Sequence, residues 1–144
     1  MERQKGELVC DACGSAFRYR LIHAGFNDSA YGYCNECGMT AFLNPFGPVP
    51  DSVQVRWYEA ISTEVESHLR LCPCGGRFVR GAAPRCPICK MVLSPDAVAS
   101  AIEADSPGTA KGWRWQRNWT GLCCVIVEDR VVNDNWLDND HEDT

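Results

Sequence analysis

The sequence predicts a small α+β fold: two four-cysteine metal-binding units, two helices and a C-terminal antiparallel β-meander. Three observations predict it. Eight of the ten cysteines in the 144 residues fall in four close pairs. Two stretches carry helix signals, one behind a Pro-rich break and one behind Ser94-Pro95-Asp96. The last third alternates in steps of two and then runs apolar over residues 122–127. The expected organisation is a first cysteine unit at 1–43, a break and helix at 44–69, and a second unit at 70–92. A helix at 93–105, the meander at 111–137 and an acidic tail at 138–144 follow, all packed as one compact unit.

The pairs come first in the chain and in the argument. Cys10/Cys13 and Cys34/Cys37 are C-x2-C units, each followed by Gly. Cys72/Cys74 is a C-x-C unit and Cys86/Cys89 another C-x2-C unit. A C-x2-C turn aims two sulfurs at one point, and two such turns complete a tetrahedral four-thiolate site with Zn–S near ~2.3 Å. Nearest neighbours in sequence then give the quartets Cys10, Cys13, Cys34, Cys37 and Cys72, Cys74, Cys86, Cys89, with His68 an alternative ligand in the second. Disulfides compete poorly: no secretory signal is visible, and the thiols of a cytoplasmic protein stay reduced. Two zinc ions are the expected cofactors; iron in a four-thiolate site is the alternative. Cys123 and Cys124 are adjacent on a strand-like run, so they face opposite ways and read as small buried hydrophobes.

The two quartets resemble two zinc ribbons, a knuckle–hairpin–knuckle unit, over about residues 8–43 and 70–92. The first, with Gly after each pair, is also similar to the rubredoxin pattern. The resemblance implies metal-stapled hairpins; it implies no single function, because ribbons serve as nucleic-acid modules, protein adaptors and plain staples.

In the first unit Phe17, Tyr19 and Leu21 alternate with Arg18, Arg20 and Ile22, the signature of a half-buried strand. Residues 25–29 supply the hairpin turn, residues 31–33 return the chain to the second knuckle, and residues 39–42 add a short strand. After the break at 44–50, Val53, Trp57, Ile61, Val65 and Leu69 recur every four residues, which predicts a helix over 53–69. Ser94 as cap, Pro95 in first position and Asp96 in the first turn start the next helix. Trp113, Trp115, Arg117 and Trp119 alternate with Arg114, Gln116, Asn118 and Thr120, the 122–127 run makes a buried strand, and Val131-Val132 starts its partner.

Charge narrows function. The net charge is −5, yet residues 67–95 hold five basic residues and no acid, residues 106–127 hold three and none, and residues 128–144 hold seven acids against one Arg. The basic, Trp-bearing stretches give candidate partner-binding residues: Arg77, Arg80, Arg85, Trp113, Arg114, Trp115 and Arg117. No apolar run approaches the roughly 20 residues of a membrane span. Four-cysteine sites are closed, and H-E-x-x-H, deaminase and phosphate-loop motifs are absent, so no enzyme is expected. The expectation is a non-catalytic, zinc-stabilised cytoplasmic adaptor for a protein partner. The alternatives are a nucleic-acid-binding regulator using the basic stretches, and an acidic inhibitor or immunity-type protein that blocks a basic toxin or nuclease.

Overall fold

A computed structural model describes residues 4–23, 30–43, 60–105, 119 and 123–132. Two short β-hairpins organise it, and each turns at a cysteine pair. Strands β1 (Gln4–Val9) and β2 (Ala16–His23) flank Cys10 to Cys13; β3 (Ala30–Cys34) and β4 (Thr40–Leu43) flank the pair at Cys34 and Cys37. The remaining elements are β5 (Phe78–Val79), helix α1 (Pro95–Asp105), β6 (Cys123–Val127) and β7 (Val131–Val132). Sheet one runs β1-β2-β6 and sheet two runs β5-β3-β4-β7. All pairings are antiparallel except β4 with β7.

Sheet two is the middle layer, buried on both faces. On β3, Tyr31 and Tyr33 enter a first core with Phe17, Tyr19, Leu21 and Val125 of sheet one. Ala30 and Cys34 enter a second core with Ile61, Val65, Leu69 and Phe78. The alternation that seats Phe17, Tyr19 and Leu21 inward leaves Arg18 exposed, and there it pairs with Glu128 at 3.2 Å. The Arg18 backbone N–H also donates to the Glu128 carboxylate, which holds that carboxyl below its ordinary range.

Helix α1 begins as Ser94 predicts: its hydroxyl accepts from the Ala97 N–H at 3.3 Å, and Val98 and Ile102 are buried in the first core.

Three expectations are corrected. The fold is β-rich in two sheets rather than α+β with two helices, and α1 is the one α-helix among the described residues. Of the helix expected over 53–69, residues 53–59 lie outside the described residues. Residues 60–69 instead form a parallel bridge from Ala60 to Tyr31, a turn, and a short 3-10 helix at Glu66–His68. Ile61, Val65 and Leu69 are buried, but from an irregular segment whose Ile61 N–H bonds the Tyr31 carbonyl at 2.8 Å. Their four-residue spacing marks burial against sheet two, not helical periodicity.

The C-terminal meander does not form. Positive φ at Glu128 and Asp129 turns the chain out of sheet one, so β6 pairs with β2 while β7 pairs with β4 in sheet two. The Trp113, Arg114, Trp115 and Arg117 strand lies outside the described residues, as do the 25–29 turn and the acidic tail.

One side chain ties the sheets together. The buried Tyr33 hydroxyl accepts from the Val125 N–H at 2.9 Å and donates to the Val125 carbonyl at 3.1 Å, meeting both backbone groups of a β6 residue. Burial pushes its ionisation well above the ordinary tyrosine range. Trp119 stands edge-on to the Tyr33 ring and donates its indole N–H to the Leu93 carbonyl at 3.1 Å. Tyr33→Phe strips Val125 of both partners, so thermal denaturation is expected to show a loss of about 1–3 kcal/mol. A melting temperature equal to that of the parent protein would refute this role.

Candidate metal centres

Three of the four cysteine pairs fold into the same local turn. In the first, the Cys10 N–H bonds the Ser15 carbonyl at 2.9 Å, the Gly14 N–H bonds the Cys10 carbonyl at 2.8 Å, and the Ala12 N–H points at Cys10 Sγ at 3.4 Å. The turns at Cys34 and Cys86 repeat this, with Glu36 and Ile88 N–H groups on the first sulfur at 3.3 and 3.4 Å. Each turn closes on a residue with positive φ: Gly14, Gly38 and Lys90. The C-x-C turn is the same device one residue shorter. Its Cys72 N–H bonds the Gly76 carbonyl at 2.9 Å, and Gly75 takes the positive φ. Backbone amides aimed at sulfur stabilise thiolate, which is the ligand form.

The four turns assemble into two four-sulfur groups, each with its sulfurs within 4.8 Å of one another: Cys10, Cys13, Cys86 and Cys89 in one; Cys34, Cys37, Cys72 and Cys74 in the other. Across the pairs Cys10 to Cys89 is 3.5 Å and Cys13 to Cys86 is 3.7 Å; Cys34 to Cys74 and Cys37 to Cys72 are 3.5 Å each. A tetrahedron with Zn–S of about 2.3 Å has edges near ~3.8 Å, so the sulfurs stand at metal-binding separation. Disulfide sulfurs would be ~2.05 Å apart, and all eight cysteines are free. Both groups can hold a metal ion.

All eight expected ligands are therefore used, but not in the expected quartets. The first pair closes with the fourth and the second with the third, so one site is nested inside the other along the chain. The cause is the hairpins. A ribbon made of the first two pairs needs β2 beside β3, yet β2 lies between β1 and β6 while β3 lies between β5 and β4. Neither quartet includes His68.

The sites are embedded in different cores: Cys10 and Cys86 in the first, Cys34, Cys37 and Cys72 in the second. Cys13, Cys74 and Cys89 form their exposed edges. Hydrogen bonds from Ser15 bring the Cys13 thiol down to about 6, and the Gly76 N–H brings Cys74 to about 7; burial pushes Cys72 up.

The basic residues singled out in the sequence are divided by the structure. Arg85 bridges the two sites: its guanidinium donates to the Lys90 carbonyl in one knuckle at 2.8 Å and to the Asn35 carbonyl in another at 3.2 Å. Arg80 donates to the Ala60 and Ile61 carbonyls at 3.2 and 3.1 Å, pinning the irregular segment. Arg77 is exposed, with its backbone joined to Asn35. Arg130, which no sequence motif marks, donates to the Cys37 carbonyl at 2.8 Å. Cations at these places offset the negative charge that four thiolates bring to a divalent ion. Cys124 is buried beside the Tyr33 hydroxyl and belongs to neither site.

Two glycines are fixed by close approach. A Cβ on Gly76 would stand 2.6 Å from Cys34 Sγ, and one on Gly38, already at φ +78°, would overlap the Arg85 backbone nitrogen.

Residues 6–94 match the model of a family described as a domain of unknown function (DUF8255), and the chain belongs to that family. The match spans all eight ligands. No curated protein and no solved structure matches the chain.

Two outcomes follow. Gly76→Ala should weaken metal binding at the Cys34 site at least tenfold, about 1.4 kcal/mol, while Ile88→Ala, at an exposed side chain of the other site's knuckle, leaves both sites loaded. Equal affinities in the two variants, read by competition with a chromophoric chelator, would contradict the packing argument. Metal must displace protons from thiols, so affinity should fall as pH drops through the ranges of Cys74 and Cys13. The same competition run from about pH 8 to about pH 5 checks the sign.

Proposed function

We propose that this member of the DUF8255 family is a non-catalytic binding protein, held together by two zinc ions in ribbon-type knuckles, that recognises another protein in the reducing cytoplasm. The observation that carries the reading is the pair of closed four-thiolate groups, each built into its own core. Four cysteines fill a tetrahedral zinc, which leaves no position for water or substrate; such sites staple a fold. Zinc suits the set over iron because both sites are structural in setting. The described residues contain no helix long and apolar enough to cross a membrane.

A protein partner is favoured over nucleic acid because two of the three candidate arginines of residues 70–92, Arg80 and Arg85, spend their guanidinium groups on backbone carbonyls. Guanidinium groups tied to backbone carbonyls leave fewer donors free for a phosphate.

The test is metal content and its pairing. The protein is expected to be colourless and to carry two zinc ions by elemental analysis; a chelator that removes them should abolish the thermal transition, since a structural zinc contributes on the order of 10 kcal/mol. Cys10→Ser with Cys89→Ser should cost one ion, whereas Cys10→Ser with Cys34→Ser should cost both. Visible absorption from iron, or an unchanged melt after zinc removal, would sink the reading.

A further inference from the structure

We propose that the open edge of β1 is a docking slot for an extended peptide segment of the partner, one that alternates apolar and basic side chains and adds to sheet one as a further strand. The proposal rests on the reading that the partner is a protein, and it names the surface and the chemistry recognised.

Strand β1 is at the edge of sheet one, with β2 on one side and no strand on the other among the described residues. Such an edge presents unpaired N–H and C=O groups, a template for another chain. A cavity of about 360 Å³ runs there. One wall is residues 7–12 and the other is residues 91–94; Ala97, Val98 and Ala101 of α1 and Phe17 of β2 also line it. Side chains alternate between the faces of a strand, so consecutive residues border one cavity only where it follows the strand's edge. The slot therefore follows the edge of β1 at residues 7–9, with residues 91–94 facing it across the cavity.

Its rim selects the occupant. Val9, Met91 and Val92 flank the slot and are 64%, 53% and 45% exposed, three of the five large hydrophobics exposed among the described residues, gathered in one apolar strip. Glu7 and Asp11 also line it, and no Lys, Arg or His does. An inserted strand would set apolar side chains against the strip and Lys or Arg toward the two carboxylates. The basic Arg77 and Lys90 line a separate cleft over Cys74, so the acidic rim is not neutralised by them.

The experiment uses the zinc-loaded full chain and two labelled acetylated octapeptides, one alternating Lys and Val, the other Glu and Val. Fluorescence anisotropy measures binding, and amide exchange reports on residues 7–12. The Lys–Val peptide should bind saturably and slow exchange at β1, and the Glu–Val peptide should bind at least tenfold more weakly. Glu7→Lys with Asp11→Lys, and separately Met91→Arg, should each weaken the Lys–Val peptide at least tenfold with both zinc ions retained. Equal binding of the two peptides, no binding by the metal-replete protein, or edge amides already protected by self-association or by the chain's own residues would overturn the slot. Those results with two zinc ions in place leave the staple reading standing; loss of the metals under the same conditions removes that reading instead.

Discussion

The structure depends on eight thiolates closing around two points. Sheet one is three strands, sheet two is four, two of which are only two residues long, and residues 60–93 contain little regular structure. Chain of that kind has few ladder hydrogen bonds to hold it, and small cores bury too little to offset the entropy of ordering it. A metal ion held by each group would supply what is missing at long range. One site joins residues 79 apart in sequence at Cys10 and Cys89, the other residues 40 apart at Cys34 and Cys74. The cost of closing such loops grows slowly with length, so a strong local bond at each end suffices to hold a long irregular segment. Five of the eight candidate ligands are also core residues, which would couple metal binding to hydrophobic packing.

Around those closures the hydrogen bonds are economical. Arg85, Arg80 and Arg130 each cap carbonyls that no strand reaches, and Tyr33 serves both backbone groups of Val125. These side chains do between layers what a ladder does within a sheet. A surface reading of the basic residues therefore counts some guanidinium groups that are already tied to backbone carbonyls.

How much of this the sequence discloses depends on the range of each signal. The ligand cysteines are legible because knuckle spacing is local, and α1 is legible because Ser94 and Pro95 lie at its own start. Which pairs share an ion is not legible, because proximity in sequence says nothing about which hairpins pack together. The period of Ile61, Val65 and Leu69 misleads because a buried irregular segment and a helix can show the same spacing. The separate destinations of β6 and β7 turn on the left-handed backbone of Glu128 and Asp129, residues with no glycine to announce it. Arg130 carries no motif at all; its role exists only once that turn delivers it to Cys37.

The nesting of the two sites gives synthesis a direction. Like brackets within brackets, the inner site has all its ligands once Cys74 has left the ribosome, while the outer still lacks Cys86 and Cys89. The chain can thus mature from its middle outward, with the second hairpin locked to the 72–76 turn before the first has anything to clasp. Cys10 and Cys13, the earliest thiols made, wait longest for their partners, and during that interval they are the ones open to capture by the wrong metal or the wrong sulfur.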